Sequence, residues 1–227
     1  MAYFLIGCLV AMVIGTECAV TTFTFSGSQS ANLHNEKRNL HINTPPLSGD
    51  YGLAIQARDC AKRILEENLD ASTHPCNPEA LNVGENIYVA SAYGEPLLEN
   101  AIKPWYAEVK DIDFSNDVWV FTADNTKVGH VTQMLWVASS AVGCGGAKKP
   151  INGYGKHTIV IICRYSPMGN RYQGDFLRNN VKPPKATATV TNCANQAFCV
   201  SYAVSHCTIG SFKDLVKSMC PKLCGLC

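Results

Sequence analysis

The sequence predicts an α+β domain, on three observations: a strongly periodic helix over Tyr51–Asn68, two strand-length apolar runs late in the chain, and an excess of helices over strands. In chain order, Ser28–Arg38 reads as a first helix, with Ala31, Leu33 and His34 set among polar positions. Over Tyr51–Asn68, Leu53, Ala54, Ala57, Ala61, Ile64 and Leu65 recur at spacings of three and four with charges between them, the pattern of a helix with one apolar face. Leu97–Val109 is a third helix with Trp105 on its buried side; Pro104 lies inside it and predicts a kink or break. Val128–Val137 is a short fourth helix, rich in large apolar residues. Ala141–Ala147 and the β-branched Thr158–Arg164 are strands, and Asn152-Gly153 between them predicts an antiparallel hairpin with a long loop.

Of the 12 cysteines, six fall between Cys193 and Cys227, in a segment too short to bury a core of its own. Three disulfides are the economical reading, and they require an oxidising compartment. The competing reading is a zinc module. Cys224 and Cys227 form a CxxC, but no second CxxC completes a tetrahedral site and the one histidine of the tail, His206, adjoins Cys207. The N-terminus agrees with an oxidising destination. Phe4–Ile14 is an apolar run of signal-peptide length, followed by small or neutral Gly15, Thr16 and Cys18. Cleavage after residue 18 removes Cys8 and Cys18 and leaves an even ten. No later run is long and apolar enough for a membrane helix, and with a formal net charge of +1 nothing suggests a nucleic-acid or anionic-membrane partner. The proline-containing stretch 181–192 lacks apolar periodicity and reads as a semi-rigid linker. The chain is expected to be secreted and extracellular; its oligomeric state is not legible.

Four stretches carry the chemistry: Gly84-Glu85-Asn86-Ile87-Tyr88; Trp105-Tyr106-Ala107-Glu108; Gly129-His130-Val131-Thr132-Gln133-Met134-Leu135-Trp136; and Ile161-Ile162-Cys163-Arg164-Tyr165-Ser166-Pro167-Met168-Gly169-Asn170. In this order they resemble the CAP superfamily of cysteine-rich secretory proteins, antigen 5 and pathogenesis-related proteins. The third resembles the family's GH[FY]TQ-x-x-W signature and the fourth its [FI]-x-C-x-Y-x-P-x-GN signature. Leu33-His34-Asn35-Glu36-Lys37-Arg38 is similar to its LHN-x-x-R helix. The resemblance covers residues 25–180 and implies an α-β-α sandwich. The tail, residues 193–227, ends Cys220-Pro221-Lys222-Leu223-Cys224-Gly225-Leu226-Cys227 and resembles the ShKT module, a small helical disulfide knot named for a sea-anemone channel toxin.

The resemblance implies a central cleft lined by two histidines and two glutamates. By motif these are His130, Glu85 and Glu108, with His74 as the first histidine, on the loop before the GEN stretch. His34 belongs to the helix motif and is structural. Two imidazoles bind Zn²⁺ or a similar divalent ion, weakly when no third protein ligand is secure, and carboxylates hold its waters or act as a base. As a hydrolase, with Glu85 or Glu108 as base, the set is incomplete, since no residue is marked as an activated nucleophile. The resemblance also implies a Cys144–Cys163 bridge, which leaves Cys60 with Cys76; four cysteines otherwise permit three pairings. For the tail it implies Cys193–Cys227, Cys199–Cys220 and Cys207–Cys224. The toxin's channel-plugging lysine-aromatic pair is reversed here, as Phe212-Lys213-Asp214, with an acid beside the ammonium, so an extracellular adaptor is favoured over an ion-channel blocker. The reading for the whole chain is a non-enzymatic secreted protein that binds a lipid or sterol, or an extracellular protein, through the cleft and the tail. Trp105, Ile87 and Met134 are expected as its apolar wall.

Overall fold

The computed structural model describes residues 19–114, 127–151, 155–171, 176–185 and Cys220. The elements are β1 (Thr21–Thr24), α1 (Gly27–Arg38), β2 (Ser48–Gly49), α2 (Tyr51–Glu67), β3 (Gly84–Tyr93), α3 (Glu99–Ala107), α4 (Gly129–Leu135), β4 (Ala141–Pro150), β5 (Lys156–Ser166) and α5 (Phe176–Asn180). The class is α+β. The predicted signal peptide, the Asn152-Gly153 turn and, apart from Cys220, the cysteine-rich tail lie outside the described residues; Cys220 is buried and disulfide-bonded.

Four strands form the sheet in the order β1-β4-β5-β3, all antiparallel, and the two-residue β2 joins β4 in parallel. The hairpin runs further than the sequence suggested. Strands β4 and β5 pair from Ala141↔Ser166 to Pro150↔His157, which shortens the connection. Side chains alternate across this sheet, as a pleated strand requires. From β5, Ile159, Ile161, Cys163 and Tyr165 enter one core with Ala31 of α1, Trp105 of α3 and Met134 of α4. Val160 and Ile162 enter a second core with Ala57, Ala61 and Ile64 of α2. Three layers result: α2, the sheet, and α1 with α3 and α4.

Helix α1 starts with a capping box between Ser26 and Gln29, and α2 starts where the Asp50 side chain accepts from the Leu53 amide. Gly143 lets α2 lie close on β4, because a Cβ there would collide with Asp50 O, the Ala54 nitrogen and Leu53 Cβ. The predicted break at Pro104 does not occur. Helix α3 continues through it to Ala107, with Ala101, Ile102 and Trp105 buried, and a 3₁₀ turn over Glu108–Asp111 follows. One lost backbone hydrogen bond is outweighed by three buried side chains.

Strand β1 lies ahead of residue 25, and its Thr21–Thr24 pair with β4. Val181 is buried in a third core with Phe114, Val131 and Trp136. Residues 182–185 lie alongside 40–42: Ile42 N–H donates to Pro183 O at 3.0 Å, Lys185 N–H to Leu40 O at 2.7 Å, and His41 bridges Pro184. Among the described residues no helix is long and apolar enough to cross a membrane.

Candidate functional site

The site is built where β3 begins. Strand β3 went unpredicted, yet it places Glu85 opposite Arg164 and Asn86 opposite Cys163 on β5. Consecutive side chains on a strand face opposite ways. Glu85 therefore shares the α2 side with Arg164, and Asn86 shares the other side with Tyr165, to whose hydroxyl it donates at 3.1 Å. Asn86 also donates to His130 O at 3.0 Å, which ties α4 to the same end of β3. Gly84 permits the contact, because a Cβ there would overlap the Gln133 carboxamide.

The four expected residues form two His–Glu pairs. His74 Nδ1 lies 3.0 Å from Glu85 Oε1. Glu85 Oε2 receives Arg164 Nε–H at 3.0 Å and Arg164 Nη2 at 2.9 Å, with the carboxylate fully buried and Arg164 only 2 % exposed. The backbone of His74 is left-handed, at φ 50°, and two residues on, the Cys60–Cys76 disulfide fastens this loop to α2. Closing a loop of that length stabilises the fold by about 3 kcal/mol. The second bridge, Cys144–Cys163, links registered partners of β4 and β5.

In the other pair, His130 Nδ1 lies 2.6 Å from Glu108 Oε1. Glu108 Oε2 accepts the backbone N–H groups of His130 and Val131, each at 3.1 Å, so a residue from another element caps α4. The Trp105 ring stacks on the imidazole with centroids 5.7 Å apart and planes 14° from parallel. His74 and His130 keep 45 % and 36 % of their side chains exposed. Each nitrogen bound to a carboxylate is Nδ1, which leaves Nε2 of both rings without a protein partner among the described residues. A carboxylate on Nδ1 holds the tautomer whose Nε2 lone pair is available to a metal ion.

His34 is structural, as expected. Its Nδ1 lies 2.6 Å from Ser30 O, so it is the donor there, and its Nε2 accepts from the Tyr165 hydroxyl at 2.8 Å. Burial pushes its imidazole down to about 4 and raises the Tyr165 phenol. His34, Cys144 and Cys163 bring their side-chain nitrogen and sulfur atoms within 4.8 Å of one another. Both sulfurs are joined in a disulfide, so neither can act as a thiolate ligand, and both imidazole nitrogens are hydrogen-bonded, so this group offers a cation no good donor.

Several supporting residues carried no role in the sequence reading. Arg38, fully buried, donates to Pro45 O at 2.7 Å, Met134 O at 2.8 Å, Trp136 O at 3.0 Å and Ser139 O at 3.4 Å, closing the C-terminal end of α4. Burial lowers its guanidinium to about 10. Asn170 donates to Gly129 O at 2.8 Å and Gln133 accepts the Gly169 N–H at 3.0 Å, so the Gly169-Asn170 end of the fourth stretch clasps the third. His41 donates from Nδ1 to Lys182 O at 2.6 Å and accepts the Tyr106 hydroxyl at 2.9 Å. The signal for Arg38, Gln133 and Asn170 was in the motifs themselves, whose polar members outnumber what a cleft needs; His41 lies outside every motif. The expected apolar wall is a correction: Trp105 and Met134 are core residues, 2 % and 0 % exposed, because α3 and α4 turn those faces onto the sheet.

These features define a protein of a known class, and the model of the cysteine-rich secretory protein family (CAP) matches residues 31–165. The chain belongs to that family. It is similar to Venom allergen 5 2 of Polybia paulista, 40 % identical over 100 residues that make up 43 % of this chain and 46 % of the relative. It is also similar to Venom allergen 3 of Solenopsis invicta, 36 % identical over 138 residues, 57 % of this chain and 55 % of the relative. The chain spans about half the length of these relatives. Among solved structures it is similar to NaASP2 with Zn²⁺, at 19 % identity and a TM-score of 0.48, covering 70 % of this chain and 86 % of that one.

Proposed function

We propose that this is an extracellular binding protein whose cleft presents two imidazoles to a divalent cation such as Zn²⁺, and that it is not a hydrolase. The observation that carries the reading is the commitment of all four carboxylate oxygens. Glu85 gives one oxygen to His74 and the other to Arg164; Glu108 gives one to the His130 ring and the other to two backbone amides. A general base must be free to reach water or substrate, and a glutamate already accepting on both oxygens is held as an orienter instead. Calcium and magnesium call for several oxygen ligands, whereas two imidazole nitrogens suit zinc, copper or nickel. His74 and His130 would hold the cation, which would supply Lewis acidity or a structural link between loops.

The apolar run at the N-terminus, the disulfides and the family together support secretion. With Trp105 and Met134 withdrawn into the core, a protein surface fits the cleft better than a sterol or acyl chain. The tail, read as a ShKT module, would act beside it as an adaptor.

Calorimetric titration with Zn²⁺ and thermal unfolding test the site. Zinc at a hundredfold excess over its Kd should stabilise the protein by about 2.7 kcal/mol. The gain should vanish in His74→Ala and in His130→Ala. An undiminished zinc response in the double alanine variant would reduce the four residues to a structural role.

A further inference from the structure

Arg164 sits inside a signature stretch and had no assigned part, yet the geometry gives it one. Its fork does not straddle the Glu85 carboxylate. Both Nε, at 3.0 Å, and Nη2, at 2.9 Å, converge on Oε2, while Nη1 reaches Gln56 Oε1 on α2 at 3.3 Å. Oε1 is left for His74 Nδ1 alone, at 3.0 Å. The guanidinium is a donor throughout and never an acceptor. Whatever occupies position 85 must therefore turn an acceptor toward Arg164, and in a carboxylate the second oxygen is an acceptor as well. That oxygen obliges His74 to donate from Nδ1. An imidazole that donates from Nδ1 carries its lone pair on Nε2, on the far side of the ring from the buried carboxylate and toward solvent, where 45 % of the side chain is exposed.

We propose that Arg164 is the positioning residue of His74: by clamping one oxygen of Glu85 it fixes where the other lies, and the acceptor held there sets which imidazole nitrogen faces the cleft. The use made of that nitrogen rests on the cation reading above; the tautomer itself does not. The design also explains why a buried charge pair lies beside a cleft. Arg164 and Glu85 neutralise each other, so this pair puts no net negative charge beside a cation, and the attraction to the ion is one of ligand chemistry.

The test exchanges one oxygen for a donor. In Glu85→Gln the new amide must still offer its oxygen to Arg164, so its NH₂ faces His74 Nδ1. That makes Nδ1 the acceptor and moves the proton to Nε2. Adding Arg164→Met frees the amide to present either end, so His74 is no longer held in the Nε2–H form. Removing Arg164 alone would strand a buried carboxylate. Glu85→Gln keeps an acceptor on Arg164 but leaves the guanidinium without a counter-charge, so the native fold of each sample is checked from its amide spectrum. The double variant, neutral at both positions, strands no charge. Long-range proton–nitrogen NMR spectra, recorded without metal above the imidazole titration range, read the tautomer directly.

The expected series is Nδ1–H in the parent, Nε2–H in the single variant, and a mixture of the two in the double. Zinc affinity measured on the same samples should fall by about 10- to 100-fold in the single variant and recover in part in the double. If the single variant keeps Nδ1–H, or the single and double variants match, the assignment to Arg164 is overturned whatever zinc does. If the tautomers follow the series and no sample binds zinc, the Arg164 assignment stands and the cation reading is the one that fails.

Discussion

Glu85 and Glu108 hold their histidines by the same atom, Nδ1, yet are themselves held differently, one by the Arg164 fork and the other by two amides at the start of α4. That difference makes the His74 pair dependent on one side chain and the His130 pair on the backbone. Two further imidazoles serve the fold. Burial pushes His34 and His41 down to about 4, against partially compensating hydrogen bonds to Ser30 O and Lys182 O. In the unfolded chain a histidine titrates near about 6.5. Between those values the unfolded chain binds more protons than the folded one, so stability rises with pH through the window and is lost as pH falls from about 6.5 toward about 4. Each of these buried imidazoles accounts for up to about 3 kcal/mol of that loss. Denaturant midpoints at the two ends of the window should show it, and His34→Gln should flatten the slope; equal slopes in variant and parent would remove His34 as the cause. His34 was legible as structural because it lies on the helix motif with Asn35 and Arg38. Arg164 was not, since its role depends on a strand register that one residue's neighbours do not reveal.

Helix α4, seven residues from Gly129 to Leu135, is too short to persist alone. It is held from outside at both ends: Glu108 and Asn170 at its start, Arg38 at its end. Since α4 carries His130, the site inherits its stability from these caps. Arg38→Met should destabilise the protein by about 3 kcal/mol or more, because it leaves several buried carbonyls without donors. Arg38→Lys should not restore it, one ammonium being unable to reproduce the fork. A denaturant midpoint for Arg38→Met close to that of the parent would show that α4 stands without this cap. At this scale the helices were readable and β3 was not. Apolar periodicity marked α2 clearly. Strand β3 is an edge strand, half-exposed along much of its length and polar where it begins, so it lacks the alternation that marks a half-buried strand. The same polar beginning, Glu85-Asn86, is the part that builds the site.

Across the whole molecule, three layers bring loops from both faces of the sheet to one end of β3. The Cys60–Cys76 bridge fixes His74 from the α2 side, and α4 brings His130 from the other. The segment after α5 does not leave the domain at once. Residues 181–185 are strapped to residues 40–42, and His41 joins that strap to Tyr106. Its prolines and its lack of apolar periodicity read this stretch as linker, because hydrogen bonds to a distant segment leave no periodic mark on it. The four signature stretches were legible as a set because each supplies a contact to another. Which residues formed an apolar wall was not legible, since a helix face turned to the core and one turned to a cleft have the same composition.

The central claim is that both glutamates orient histidines and neither acts as a base. It is tested most directly by incubating purified protein, with and without Zn²⁺, with peptide, ester and phosphodiester substrates, beside Glu85→Gln and Glu108→Gln. The account predicts no turnover above that of the two variants. Robust hydrolysis that disappears with either substitution would contradict it.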